Sequence, residues 1–246
     1  MDGTARSAQV VAANIDTVFV TQSFENGPNL RRLERELVLA FESGADPVIV
    51  LTKADLADAP IDLSAVERSA SGAPVIVTSA VSGAGVEELR GFAAPGLTVA
   101  LIGASGVGKS TLVNRLVGTD VQATGEVRAR DQRGRHTTTA RELVLLPHGG
   151  VLVDTPGLRA VTLWVADDGL RRAFADIEAL APGCRFDDCA HDQEPGCAVQ
   201  AAIARGDLDA ARLAHYRELD AELDAVHRRV RERGERSARG RPRPAS

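Results

Sequence analysis

The sequence predicts an α/β fold in which a mostly parallel sheet with helices on both faces is followed by a small, mostly helical unit. Three observations carry that prediction. Apolar, β-branched runs at Asp46–Thr52, Pro74–Thr78, Leu97–Ile102 and Gly150–Asp154 alternate with runs of helical periodicity, the pattern of strands buried on both faces. A glycine-rich loop, Gly103-Ala104-Ser105-Gly106-Val107-Gly108-Lys109-Ser110, joins one of those strands to one of those helices. Beyond residue 165 the strand-like runs stop, and all three cysteines fall within fourteen residues.

Residues 1–13 are an N-terminal extension, and the alternation begins at residue 14. Asp16–Val20 reads as a strand, and Leu30, Leu33, Leu37, Val38 and Phe41 then fall on one helical face. The strand Asp46–Thr52 enters the tetrad Thr52-Lys53-Ala54-Asp55, and Pro74–Thr78 ends in Ser79-Ala80. A helix passes through Val86–Arg90, and Gly91–Gly96 makes a join. Leu97–Ile102 feeds the glycine-rich loop, which opens an amphipathic helix over Ser110–Val117, with Thr111 in its first turn. A polar segment, Arg133-Gly-Arg-His136-Thr137-Thr138-Thr139, precedes the strand Gly150–Asp154, which ends in Asp154-Thr-Pro-Gly157. These elements make a first domain over residues 14–165. A helical domain over residues 166–226 follows, closed by a helix Leu208–Val226 with Leu213, Tyr216, Leu219 and Leu223 on one face. Residues 227–246 carry eight Arg against two Glu and are expected to be a disordered tail.

The loop has the spacing of a phosphate cradle. Its glycines let successive backbone N–H groups turn onto a β-phosphate, where the following helix adds its positive end. Lys109 then bridges the β- and γ-phosphates and the Ser110 hydroxyl ligates Mg²⁺. The bland alternative is a glycine-rich turn with a chance Lys-Ser, but every fixed position is filled and both flanks are right. In the tetrad, Asp55 is placed to accept the N1–H and N2–H of guanine with one carboxylate, a pair that adenine does not offer. Lys53 lies along the base plane, and a backbone N–H at Ser79-Ala80 reads O6. The chain holds 27 Arg and two Lys, and both lysines, Lys53 and Lys109, fall in these motifs. Asp154 is expected to hold Mg²⁺ through a water and Gly157 to meet the γ-phosphate. Thr138 is counted among the nucleotide contacts, while which of Thr137, Thr138 and Thr139 binds Mg²⁺ stays open. The tetrad precedes the phosphate loop, so these are the parts of a P-loop GTPase in circularly permuted order.

The cysteines point to a metal. Cys184, Cys189, His191 and Cys197 have the spacing C-x4-C-x-H-x5-C, three thiolates and one imidazole for a tetrahedral Zn²⁺. A disulfide would leave an odd thiol in a chain without an export signal, and so polar a stretch does not bury three free thiols. Four protein ligands leave no open position, so one structural rather than catalytic zinc is expected. With 246 residues, 44% of them apolar, the chain can hold one α/β domain of about 150 residues and a smaller unit. No apolar stretch approaches the length of a spanning helix, and the first ten residues lack the pattern of a signal peptide, so a cytoplasmic protein with no membrane partner is expected; a monomer is assumed, and the sequence leaves the oligomeric state open.

The order T-K-A-D, S-A, G-A-S-G-V-G-K-S-T, G-R-H-T-T-T and D-T-P-G, followed by the zinc pattern with E-P-G-C-A-V and a long helix, resembles the circularly permuted ribosome small subunit-dependent GTPase A family. The resemblance runs from about Val11 to Leu223. It implies GTP and GDP as ligands, hydrolysis of the β–γ phosphoanhydride of GTP, and the small ribosomal subunit with its rRNA as partner late in maturation. It also implies His136 as the polar group for the attacking water, since Leu158 follows the D-x-x-G where Ras-like proteins carry Gln. Three features depart from the family. About 13 residues precede the first strand, too few for the N-terminal OB barrel that grips rRNA. Thr52 stands where Asn is usual; Asn would contact the base edge and brace the phosphate loop, whereas Thr offers one hydroxyl, so weaker binding rather than lost specificity is expected. The chain also ends in an Arg-rich run, which could supply salt-sensitive phosphate contacts or simply be solvated. A GTP-responsive binding switch for another RNA or protein, left after loss of the barrel, is the alternative reading.

Overall fold

The structure is a computed structural model that describes residues 14–25, 27–57, 62–118, 142–154 and 166–239. The chain divides into two compact units, Met1–Val161 and Thr162–Ser246.

The first unit is built on one six-stranded sheet. Its strands are β1 (Thr17–Ser23), β2 (Asp46–Thr52), β3 (Val75–Val77), β4 (Thr98–Gly103), β5 (Glu142–Leu145) and β6 (Val151–Asp154), in the spatial order β3-β2-β1-β4-β6-β5. The first four neighbouring pairs are parallel, and β5 lies antiparallel to β6 at the edge. Helices α1 (Leu30–Glu42), α2 (Ser64–Ser69), α3 (Val86–Gly91) and α4 (Lys109–Val117) complete the unit. Alternation along the strands sorts the core into two layers. Phe19, Val50, Ile76, Val99, Leu101 and Leu152 pack with Leu89 of α3 and Leu112 and Leu116 of α4. Val18, Val20, Ile49 and Leu51 point the other way, toward the face on which α1 packs against β1 and β2. Helix α1 buries Leu33, Leu37, Val38 and Phe41 and is capped by Asn29, whose side chain accepts the Arg32 N–H at 3.0 Å.

Strand β5 has no counterpart in the reading of the sequence. It pairs Leu143 with Val153 and Leu145 with Val151, and a tight turn joins it to β6 through Leu146 N–H donating to the Gly150 carbonyl at 2.8 Å. Leu143 and Leu145 are exposed while Val144 packs against the core, an alternation that the uniformly apolar run Leu143–Leu146 does not display in sequence.

The second unit consists of α5 (Asp167–Ala173), α6 (Ala175–Leu180), α7 (Ala198–Arg205) and α8 (Ala210–Arg239). Leu213, Leu219 and Leu223 of α8 are buried as their spacing predicts, with Leu170, Phe174, Ile177 and Val199 in the same unit. The Arg212 guanidinium lies 4.7 Å from the Phe174 ring centroid, forks onto both Asp176 oxygens at 2.6 and 2.9 Å and donates to the Ala173 carbonyl. Tyr216 donates to Glu178 at 2.8 Å. The helix does not stop near Val226 but continues to Arg239, through residues expected to be disordered. Arg and Glu dominate that stretch, and these are strong helix formers that need no tertiary contact to extend an existing helix.

Candidate nucleotide site and metal centre

Parallel strands bring the motifs to one edge. Thr52 pairs with Ser23, Thr21 with Gly103, and Leu101 with Asp154, so the carboxyl ends of β2, β1, β4 and β6 lie side by side. The tetrad leaves β2 there, the glycine-rich loop leaves β4 there, and the backbone of Asp154 ends β6 there, where open α/β sheets bind ligands.

The loop closes as its residues require. Gly103 has φ 147° and a Cβ on it would stand 2.4 Å from the Thr21 carbonyl, so only glycine leaves β4 at this angle. Gly108, at φ 102°, precedes α4 without a side-chain cap, which leaves the first-turn N–H groups of Lys109, Ser110 and Thr111 directed at the loop. Ala104, Ser105 and Gly106 form the outer turn, while Val107 is buried. Lys109 Nζ donates to the Gly103 and Ala104 carbonyls at 2.8 and 2.6 Å, so the ammonium is held within the curl of the loop.

The tetrad is tied to that loop. The Thr52 hydroxyl donates to the Val107 carbonyl and lies 3.1 Å from the Gln22 carbonyl, and the residue is buried. A single hydroxyl therefore does reach the phosphate loop. Lys53 follows in the left-handed region at φ 59° and pairs with Glu25. Ala54 N–H donates to the Thr78 carbonyl at 3.1 Å, and the buried Ser79 hydroxyl donates to an Asp55 oxygen while accepting from Ser82 N–H. Asp55 is thus oriented by the segment Ser79-Ala80 that the sequence also assigns to the base. His136, Thr137, Thr138, Thr139 and Gly157 lie outside the described residues.

Motif reasoning did not find Gln22, Glu25 or Glu36. Glu36 of α1 is buried, with Gln22 Nε2 donating to one oxygen and Arg32 Nε to the other, both at 2.8 Å. Burial pushes its carboxyl above a glutamate's ordinary 4.5, and Arg32, Gln22 and the charge of Lys109 offset only part of that. No short pattern marks these residues. The only hint is a glutamate on the apolar side of an amphipathic helix.

In the second unit the four predicted ligands converge, with ligand atoms all within 4.8 Å of one another. Zn–S bonds of about 2.3 Å and Zn–N bonds of about 2.0 Å in a tetrahedron require S···S near 3.8 Å and S···N near 3.6 Å. Cys184 and Cys197 Sγ are 3.8 Å apart, and His191 Nδ1 is 3.6 Å from each. The cluster is compatible with zinc. His191 reaches it from a left-handed φ of 56°, with Gln200 Nε2 donating to its carbonyl at 2.7 Å. Glu194 accepts the N–H groups of Ala190 and Asp192 at 3.0 and 2.8 Å, folding the knuckle between the second and last cysteines. The N–H groups of Ala198 and Gln200, entering α7, donate to the sulfurs of Cys184 and Cys197. Desolvation and the neighbouring Cys197 and Cys184 sulfurs push the Cys189 thiol up to about 11. Ionising all three thiols at such close range would call for a cation between them.

A glycine-rich P-loop, a T-K-A-D tetrad that precedes it in the chain, and a sheet in which both meet at the carboxyl edge define a circularly permuted P-loop GTPase fold. The family model described as RsgA GTPase matches residues 2–164. The chain belongs to that family. It is 48% identical to the small ribosomal subunit biogenesis GTPase RsgA 2 of Lactiplantibacillus plantarum, over 89% of this chain and 62% of that protein. It is also 48% identical to the small ribosomal subunit biogenesis GTPase RsgA of Methanosarcina acetivorans, over 90% of this chain and 60% of that protein. The chain thus spans about three-fifths of the length of these curated relatives. Among solved structures, YjeQ from Thermotoga maritima is similar at a TM-score of 0.65 and 31% identity, covering 85% of this chain and 72% of that one. YloQ, described as a circularly permuted GTPase, is similar at 0.59 and 26%, covering 86% and 69%.

Proposed function

We propose that this chain binds GTP and GDP with Mg²⁺, hydrolyses the β–γ phosphoanhydride of GTP, and acts in maturation of the small ribosomal subunit in the cytoplasm as a monomer. The observation that carries the reading is the hydroxyl bridge from Thr52 to Val107, which joins the base-reading tetrad to the phosphate loop at the carboxyl edge of the sheet. Family membership and the names of the relatives support the ribosomal role.

In this reading Asp55, braced by Ser79, accepts from the guanine edge, and Ala80 N–H reads O6. Lys53 lines the base. The N–H groups from Gly103 to Thr111 hold the phosphates, and Lys109 leaves the loop carbonyls for the β- and γ-oxygens. Ser110, Asp154 through a water and one of Thr137, Thr138 and Thr139 would hold Mg²⁺, which would neutralise charge at the phosphates. Gly157 meets the γ-phosphate, and His136 positions the attacking water. The nucleotide domain takes residues 14–165, the zinc domain 166–226, and the basic end of α8 with residues 240–246 adds phosphate contacts. Cys184, Cys189, His191 and Cys197 would hold one structural Zn²⁺, which would fix the loop before α7 onto the helical unit.

The test is GTP turnover by this chain with Mg²⁺, with and without purified small ribosomal subunits. Stimulation by subunits, lost in His136→Ala, is expected. Turnover that subunits leave unchanged would reject the ribosomal role and point to a GTP-responsive switch for another RNA or protein. Absence of guanine nucleotide binding would reject the nucleotide reading altogether.

A further inference from the structure

Glu25 belongs to none of the nucleotide motifs, yet the structure places it on the tetrad. The chain leaves β1 in a turn fixed to β2, with Phe24 N–H donating to the Thr52 carbonyl at 3.0 Å. Glu25 N–H donates to Ser23 Oγ at 3.2 Å, and Gly27 N–H closes the turn onto the Phe24 carbonyl at 3.0 Å. Glu25 is thereby carried to Lys53, and its carboxylate pairs with the Lys53 ammonium. The side chains are 24% exposed for Lys53 and 48% for Glu25, an exposure at which an ion pair adds little to folding.

What the pair does is geometric. Lys53 begins from a left-handed backbone, and its stem runs against the phosphate loop, with Cγ standing 3.9 Å from where a Cβ on Gly108 would be. Its backbone directly follows β2 and caps the turn Ala54–Leu56, its Cγ lies beside Gly108, and its far end pairs with Glu25. A lysine stem otherwise samples many rotamers, and ordering it on binding costs affinity that prior ordering saves.

We propose that Glu25 is a positioning residue of the nucleotide site: its carboxylate holds Lys53 extended, so that the aliphatic stem forms a preset platform for the purine face. The inference rests on the guanine-nucleotide reading above. It makes Glu25 a determinant of base affinity with no part in phosphate chemistry, and it assigns the turn after β1 to the nucleotide site.

The test is a double-mutant cycle on the full chain, read by titration with a fluorescent GDP analogue and by steady-state GTP turnover. Glu25→Ala weakens GDP binding roughly three- to tenfold, the effect of freeing one long side chain. The KM for GTP rises by the same factor while kcat holds, because the interaction is equal in ground and transition states. In a Lys53→Ala background, Glu25→Ala adds less than about twofold, because the residue it orders is gone. Glu25→Gln, which keeps the length but not the charge, falls between wild type and Glu25→Ala. Unchanged affinity in Glu25→Ala with intact wild-type binding would overturn this inference alone. So would an equal loss in both backgrounds, which would show that Glu25 acts without Lys53. Failure of the wild-type chain to bind the analogue would overturn the nucleotide reading and this inference with it.

Discussion

Replacing Thr52 with Val removes one oxygen and keeps the shape of the side chain, so it isolates the bridge between the tetrad and the phosphate loop. In the structure that oxygen donates to the Val107 carbonyl and lies 3.1 Å from the Gln22 carbonyl, with Thr52 4% and Val107 7% exposed. Water has little access to replace the lost donor. A buried acceptor left without its partner costs about 1–3 kcal/mol. Relaxation of the loop would relieve part of that in the unbound protein, and nucleotide must then reorder the loop. If about 1–2 kcal/mol is expressed in this way, GDP affinity falls by about five- to thirtyfold, since about 1.4 kcal/mol is tenfold. Thr52→Ser keeps the hydroxyl and should bind within about threefold of wild type. The assay is calorimetric titration with GDP and Mg²⁺, alongside thermal unfolding of each variant. A Thr52→Val protein that binds GDP as tightly as wild type while melting lower would refute the reasoning, because the hydroxyl would then serve packing alone.

Removing the metal should separate the two units: chelation, or Cys197→Ser, is expected to unfold the helical unit, seen as lost helicity by circular dichroism, and to leave GDP affinity within about threefold. Abolished GDP binding would contradict the two-unit picture, and elemental analysis should find one zinc per chain. Asp55→Asn replaces an acceptor of two guanine N–H groups with a side chain that also donates, so GTP affinity should fall at least about tenfold while xanthosine triphosphate, with an oxygen at C2, gains. Competition titration with the two nucleotides decides it. The buried Glu36 carboxyl has its folded pKa raised above its ordinary 4.5. The native state therefore binds the proton more tightly than the unfolded chain, and stability falls as pH rises from 4.5 through that raised pKa. Glu36→Gln should remove this dependence, so the wild-type melting temperature gains on the variant as pH is lowered through that window. A parallel pair of curves would show that Glu36 does not titrate there.

The motifs that name the family are local in sequence because their chemistry is local. A phosphate cradle needs consecutive N–H groups, so Gly103 to Ser110 is contiguous, and a zinc knuckle needs close ligands, so Cys184 to Cys197 spans one short loop. Both motifs stand out in the sequence, and the four Cys and His side chains of the second do converge in the structure. The alternation of β2 and β4 and the buried face of α8 were readable for the same reason, since periodicity reports which side of an element is buried. The length of α8 was misjudged because charge composition says that a segment is solvated, not whether it is helical.

The sequence by itself determined the fold class, the permuted order of motifs and the four residues that converge in the second unit, each carried by neighbours along the chain. Only the tertiary structure decided how those motifs are held. Thr52 lies 55 positions from Val107, Glu25 28 from Lys53, and Gln22 14 from Glu36. The first two contacts exist because parallel strands deliver their carboxyl ends to one edge, and the third because α1 packs across β1, so that residues remote in the chain share a few ångströms. That placement follows from strand order, and strand order is set by burying both faces of the sheet at once, a property no single stretch of residues contains.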